Sequence, residues 1–284
     1  MKRRALIITA AAVLAVAAGV VVTRDHGAEA DHQAVEVPRI LLVGIDGLDW
    51  ERVNRLIDEG RMPNLAAMKR EGASGVLSSI YPFVSPTIWT SIATGKTQEK
   101  HGIDGFIVNT QEAGTSAPTT SNMRKVKAVW QILSAAGRKV GVIAWLVTYP
   151  ADPVNGYLVS SHATIALSSK ASGRAPNQTD EWLSRGVYPD GIWQEVADNV
   201  CHEEDVSDSV IRLFINADVQ VARREEAVRT ASLGRFFATD MTSLSLARHF
   251  NESMPADFTA VYFRGCDMTS HFFWRFMEPE TWRR

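Results

Sequence analysis

Apolar positions cluster in short runs whose spacing alternates between two periods. Arg39 to Ile45 (RILLVGI) is almost continuously apolar, the pattern of a strand covered on both faces. It breaks at Asp46-Gly47, and Asp49 then offers a cap for a helix of about ten residues ending at Gly60. Pro63 opens a second helix that stops near Gly72, and Ala73 to Ile80 reads as a short strand. Val126, Val129, Trp130 and Leu133 have helical spacing and close at Gly137. Lys139 to Trp145 (KVGVIAW) is another buried strand, Tyr157 to Ser160 a further one, and Phe258 to Phe263 (FTAVYF) the last. Between them, Ser161 to Pro189 reads as a polar loop or insertion, and residues 190–250 as mostly helical with a long stretch from Ser207. Strands alternating with helices predict an α/β fold, a mainly parallel sheet with helices on both faces.

The first 36 residues stand apart. Lys2-Arg3-Arg4 precedes an uncharged stretch from Ala5 to Val22, which reads as a signal peptide or an amino-terminal membrane anchor. Ala28-Glu29-Ala30 supplies a small-x-small cleavage site. The basic start predicts export, with the remainder extracytoplasmic, either periplasmic and secreted or held at the membrane. Residues 37–284 then form the α/β domain, with a mostly helical insertion at about 161–250.

Composition narrows the function without naming it. Thirty Lys+Arg against 32 Asp+Glu give a formal charge of −2, so no basic field marks a nucleic-acid-binding surface. Two cysteines, Cys201 and Cys266, are too few for a disulfide scaffold or a zinc finger. A bound metal would rest on carboxylates and imidazoles.

Three segments carry chemistry: Gly44-Ile45-Asp46-Gly47, the run from Pro82 to Gly102, and Asp267 to His271. In open α/β sheets ligands gather at the carboxyl ends of strands, where Asp46 and Asp267 both fall. Ser85-Pro86 before an apolar-periodic segment ending at Gly95 predicts a helix with Ser85 as its N-cap and Pro86 as its first residue. A hydroxyl there lies where free backbone N–H groups and the helix dipole favour an anion, so the amides at Pro86 and Thr87 are candidates for substrate binding. Asp267 and His271, four apart on a helical turn, present a carboxylate and an imidazole on one face, able to share a metal. His101 is a candidate support for the Ser85 region. Lys96, Lys100 and Arg264 are candidates for phosphate contacts. Trp89 and Trp130 fit core positions.

With these residues in place, the chain resembles the alkaline phosphatase superfamily, in its type I phosphodiesterase/nucleotide pyrophosphatase branch. The resemblance rests on Gly44 to Gly47, Met62-Pro63-Asn64-Leu65, Ser85-Pro86 through Trp89-Thr90-Ser91, Thr94-Gly95 and His101-Gly102-Ile103. Thr148-Tyr149-Pro150, Pro153 to Gly156, and Tyr262 through Asp267 to His271 complete it, over roughly residues 38–276. It implies a metal-dependent phosphoesterase acting on phosphodiesters or nucleotide pyrophosphate bonds through a phospho-Ser85 intermediate. It also implies two Zn2+ ions, or other divalent cations: Asp46 and Ser85 would ligate one, Asp267 and His271 the other. The substrate would be a phosphate ester, either a small molecule or linked to lipid or glycan. The alternatives are a phosphotransferase of the same superfamily and a truncated, catalytically inactive binding protein.

The chain departs from that pattern in three places, the first being Ser85, where many members carry Thr. Phe106 stands where nucleotide pyrophosphatases place an Asn, and the family's further Asp-His pair and His are missing before Arg284. Those absences leave each metal shell short and lead to the expectation of a carboxy-terminally truncated chain with a sheet incomplete at that end.

Overall fold

The computed structural model describes residues 6–8, 38–109, 115–168, 181, 183–212, 214 and 227–277. Most of the amino-terminal segment, with its cleavage site, lies outside them.

The described strands form a six-stranded sheet in the order β1-β2-β8-β5-β6-β7. These are β1 (Leu6–Ile8), β2 (Ile40–Ile45), β5 (Val140–Ile143), β6 (Gly156–Val159), β7 (Val187–Tyr188) and β8 (Phe258–Phe263). A separate hairpin pairs β3 (Ile107–Asn109) with β4 (Ser116–Pro118). All neighbours in the main sheet run parallel except β6 and β7. The expected fold class is therefore the one observed: a mostly parallel sheet with an antiparallel edge. β2 and β8 pair along their whole length, from Ile40 opposite Phe258 to Ile45 opposite Phe263. β1 adds a strand that the sequence reading set aside with the leader; its Leu-Ile-Ile lies against the open side of β2.

Side chains on the central strands alternate between two cores, as the period of a strand requires. Leu42, Val142, Leu158, Ala260 and Tyr262 face one, which α3 (Ser85–Thr94) and α5 (Val129–Ala135) close with Trp89 and Trp130. Ile143, Tyr157, Val159 and Val261 face the other, under Val196, Leu246 and Phe250. Those three come from α7 (Trp193–Asp198) and α9 (Ala227–Ser253), with α6 (Ser161–Ser168) and the short α8 (Asp208–Ile211) alongside. Helices thus cover both faces, and Trp89 and Trp130 are core residues as expected. No described helix is long and apolar enough to cross a membrane.

Local signals fared unevenly. Asp49 caps α1 (Trp50–Asp58) by accepting from the Arg52 amide at 3.0 Å, and Pro63 opens α2 (Pro63–Glu71). The strand expected over Ala73 to Ile80 is absent; the segment is exposed irregular chain with no partner strand, so its β-branched content has no ladder to join. Ser161–Ser168 is helical where a loop was expected. Ser161, Ala163, Thr164 and Ser168 are buried, with α9 packed alongside, and packing overrides weak propensity there.

Candidate functional site

Asp46 follows directly on β2, and its amide still donates to Phe263 O at 2.9 Å, keeping the two strand ends level. Gly47 then turns at φ +70° and lies against the backbone of Asp267: a Cβ there would fall 2.7 Å from Asp267 Cα. Cys266 Sγ also donates to Gly47 O at 3.4 Å. The glycine of the Asp-Gly pair is thus what lets the loop after β2 meet α10 (Gly265–Met277), the helix that carries Asp267 and His271. On that helix His271 Nε2 stands 3.5 Å from Asp267 Oδ1, a contact too long for a good hydrogen bond.

Tyr262 organises the centre. It is buried on β8 and donates its hydroxyl to Asp46 Oδ2 at 2.6 Å. Burial, then the Asp46 charge, hold its phenol in the protonated, donating form, with a pKa far above the usual range. Its ring packs edge-on to Trp89 of α3, with centroids 4.9 Å apart. Trp89 fills the space beside Gly44, where a Cβ would meet the indole at 2.6 Å. Ser85 lies four residues before Trp89, on the same side of α3. The fold therefore links the Ser85 helix to Asp46 through Trp89 and Tyr262. Among the described residues the Ser85 hydroxyl bonds to neither Asp46, Asp267 nor His271.

Two details of the sequence reading change. Val84, in extended conformation, is the N-cap, and Ser85 is the first helical residue. Pro86 has no amide hydrogen and cannot donate to a substrate, so that expectation is withdrawn. The first bond at the helix start runs from Ile88 N to Val84 O, which leaves the amides of Ser85 and Thr87 ahead of it. Thr87 is itself fully buried, so access to its amide is narrow.

His101, on α4 (Gln98–His101), braces the α3 side of the site. Its Nδ1 accepts from Ile103 N at 3.1 Å, so the proton sits on Nε2, 2.9 Å from Ser91 Oγ. Ser91 in turn donates to Thr87 O at 3.0 Å, and Thr87 Oγ1 to Ile103 O at 3.0 Å. Burial lowers the pKa of His101, and a second ring proton would oppose the Ile103 donor. A depressed imidazole pKa stabilises the fold fully above the unfolded value of about 6.5 and loses that contribution as pH falls through the folded value. Acidification from pH 7.5 to 5 should therefore destabilise the wild type more than His101→Gln, by at most about 1.4 kcal/mol per pH unit. Denaturant midpoints at each pH measure this; parallel profiles would remove His101 from the account.

Around Asp267 the field is crowded with negative charge. Burial, then the Asp46 charge, push its carboxyl above the usual range, against the pull of His271 and Arg264. Lys96 and Lys100 are exposed. Half-buried Arg264 faces Asp240, Asp267 and Asp46 but closes an ion pair with none of them among the described residues. Two like charges sharing a site invite a cation, and carboxylate with imidazole is a suitable donor set. Yet no group of three or more His, Cys, Asp or Glu side chains gathers to hold a metal among the described residues. Among the described residues the donors do not complete either shell of a two-metal centre. Cys201 and Cys266 are both free thiols.

Sequence reasoning missed Asp240, which lies within α9 with no motif around it. It also missed the left-handed backbone of Ala144 and Val147 just past β5, at the same end of the sheet as Asp46.

The profile of the type I phosphodiesterase / nucleotide pyrophosphatase family matches residues 40–283. No curated protein matches the chain. Among solved structures, it is similar to phosphonoacetate hydrolase from Sinorhizobium meliloti 1021 in complex with phosphonoacetate. That match has 19% identity and TM-score 0.47, covering 84% of this chain and 50% of that one. The same enzyme in complex with phosphonoformate matches at 19% identity and TM-score 0.45, covering 81% and 46%. The chain spans about half the length of these structures.

Proposed function

Because the chain belongs to the type I phosphodiesterase/nucleotide pyrophosphatase family, we propose that it is a hydrolase of phosphodiesters or nucleotide pyrophosphate bonds with Ser85 as nucleophile. One observation supports the reading above the others. Asp46 and Asp267, distant in sequence, adjoin through Gly47, and Tyr262 and Trp89 tie Asp46 to the helix that starts at Ser85.

The chemistry follows from the chain's own groups. Ser85 Oγ forms a bond to phosphorus as the bond to the leaving oxygen breaks. The proton lost by the hydroxyl balances the one gained by the leaving group. Water then breaks the Oγ–P bond, releases the phosphate product and restores the hydroxyl. The start of α3 favours the anionic centre through its dipole and its unbonded amides. Tyr262 keeps the Asp46 carboxylate in one orientation throughout. By the resemblance, Asp46 and Ser85 would hold one Zn2+ and Asp267 and His271 the other. Among the described residues these donors complete neither shell.

A second reading is a chain that binds phosphate esters without turning them over; among the described residues no three potential metal donors gather. Export to the periplasm, with or without membrane anchoring, is proposed from the basic start and the apolar run that follows, although Leu6–Ile8 of that run also pair with β2. A small-molecule, lipid-linked or glycan-linked phosphate ester is the proposed partner.

Assay of the purified chain with bis(4-nitrophenyl) phosphate, with Zn2+ or Mn2+ and with chelator, tests the first reading against the second. Release of nitrophenol is the expected result, and the chelator arm reads whether it needs a cation. Binding of the ester with no release under either condition would decide for the second.

A further inference from the structure

The helix carrying Asp267 and His271 begins without a cap of its own. Phe263-Arg264-Gly265 offers no side chain able to accept from the first amides of α10, where Ser, Thr, Asp or Asn usually stands. The acceptor comes instead from α9. Asp240 Oδ1 takes the Arg264 amide at 2.9 Å and the Gly265 amide at 3.1 Å, and Oδ2 takes the Gly265 amide at 3.0 Å. Gly265 is the residue this approach requires, since a Cβ on it would overlap the Asp240 carboxylate. A second contact joins the same two helices: Phe236 packs edge-on to Phe272, with centroids 5.2 Å apart.

We propose that Asp240 is a positioning residue for the site: its carboxylate, reaching across from α9, fixes the first turn of α10 and so sets Asp267 and His271 opposite Asp46. The inference rests on the hydrolase reading for its consequence, though not for its geometry. Three bonds to two consecutive amides fix both the direction and the roll of a helix start. A single cap bond fixes neither. Asp267 is two residues further along, in the same turn that Asp240 holds and that Gly47 touches. The arrangement makes α9, which carries none of the candidate site residues, a support for the site. A rotation of α10 moves the carboxylate and the imidazole together, and displacements of about 1 Å at a reacting site cost on the order of 100-fold in rate.

The test uses the full chain in a Cys201→Ser background, so that Cys266 is the one thiol. Cys266 lies beside Gly265, and its labelling by a disulfide reagent reads the looseness of the first turn independently of activity. Asp240→Asn keeps one acceptor oxygen but sets an NH2 group against the amides. It should label at least ten-fold faster and lose protection of the 264–268 amides in hydrogen exchange. With bis(4-nitrophenyl) phosphate it should lose at least ten-fold in kcat, with KM within about two-fold, at a temperature where it stays folded. Asp240→Glu should recover part of that loss. Unchanged labelling and exchange would overturn the proposal whatever the activity. Faster labelling with unchanged kcat would reduce Asp240 to an ordinary helix cap and overturn it too. An inactive wild type with faster labelling in Asp240→Asn would sink the hydrolase reading while upholding the placement of Asp267.

Discussion

Replacing Ser85 by alanine is expected to lower phosphodiester turnover by about three orders of magnitude or more while leaving the fold intact. Both halves follow from where the residue stands. As an N-cap its hydroxyl would hold a backbone amide, and its loss would cost roughly 0.5–2 kcal/mol. Val84 holds the cap position instead, and the Ser85 hydroxyl has no protein partner among the described residues. Alanine is also the best helix former. The expected pattern is therefore an unfolding midpoint close to wild type together with near-complete loss of nitrophenol release and of acid-stable phosphate on the protein. Turnover within ten-fold of wild type would remove Ser85 as nucleophile. A clear fall in the midpoint would show that the hydroxyl is a structural cap after all.

Gly47→Ala should damage both stability and turnover, because one methyl group meets two obstacles. The backbone sits at φ +70°, which costs an L-residue about 1–2 kcal/mol. The new Cβ would lie 2.7 Å from Asp267 Cα, 2.9 Å from its nitrogen and 3.0 Å from its Cβ. Those atoms belong to the first turn of α10, so relief requires shifting the whole helix start, and overpacking of this kind typically costs a further 1–3 kcal/mol. The shift displaces Asp267 relative to Asp46, and a loss of about 100-fold in turnover is expected. Gly60→Ala supplies the comparison. It has nearly the same backbone angle, φ +72°, but open space around the added carbon, so it bears the conformational cost alone. Equal stability losses in the two variants would mean that the Gly47–Asp267 contact is not tight; preserved turnover in Gly47→Ala would detach it from the site.

The strands at the centre of the sheet were legible because burial on both faces leaves a continuous apolar run that polar segments cannot imitate. β2 and β8 stand out for that reason, and so do the acidic residues just past their ends. Gly95 at the end of α3 and Pro63 at the start of α2 were readable from single-residue backbone preferences. What the residues alone did not disclose depends on partners remote along the chain. The segment 73–80 has the composition of a strand but no neighbour to pair with. Asp240 looks like any polar residue within a helix, and only the meeting of α9 with α10 makes its carboxylate an acceptor for Arg264 and Gly265. Tyr262 was readable as part of a motif, but not as the donor to Asp46. The one-residue shift at Ser85 has a local cause: Ser-Pro suits an N-cap followed by N1 as well as N1 followed by N2.

The hydrogen bond between Tyr262 and Asp46 joins residues 216 positions apart. During synthesis at roughly 5–20 residues per second, the first half of that pair waits on the order of tens of seconds for the second to leave the ribosome. Until then β2 has no β8 to lie beside, and its long apolar edge needs shelter from other nascent chains. A contact between residues so far apart raises the contact order of the topology, the property that slows folding.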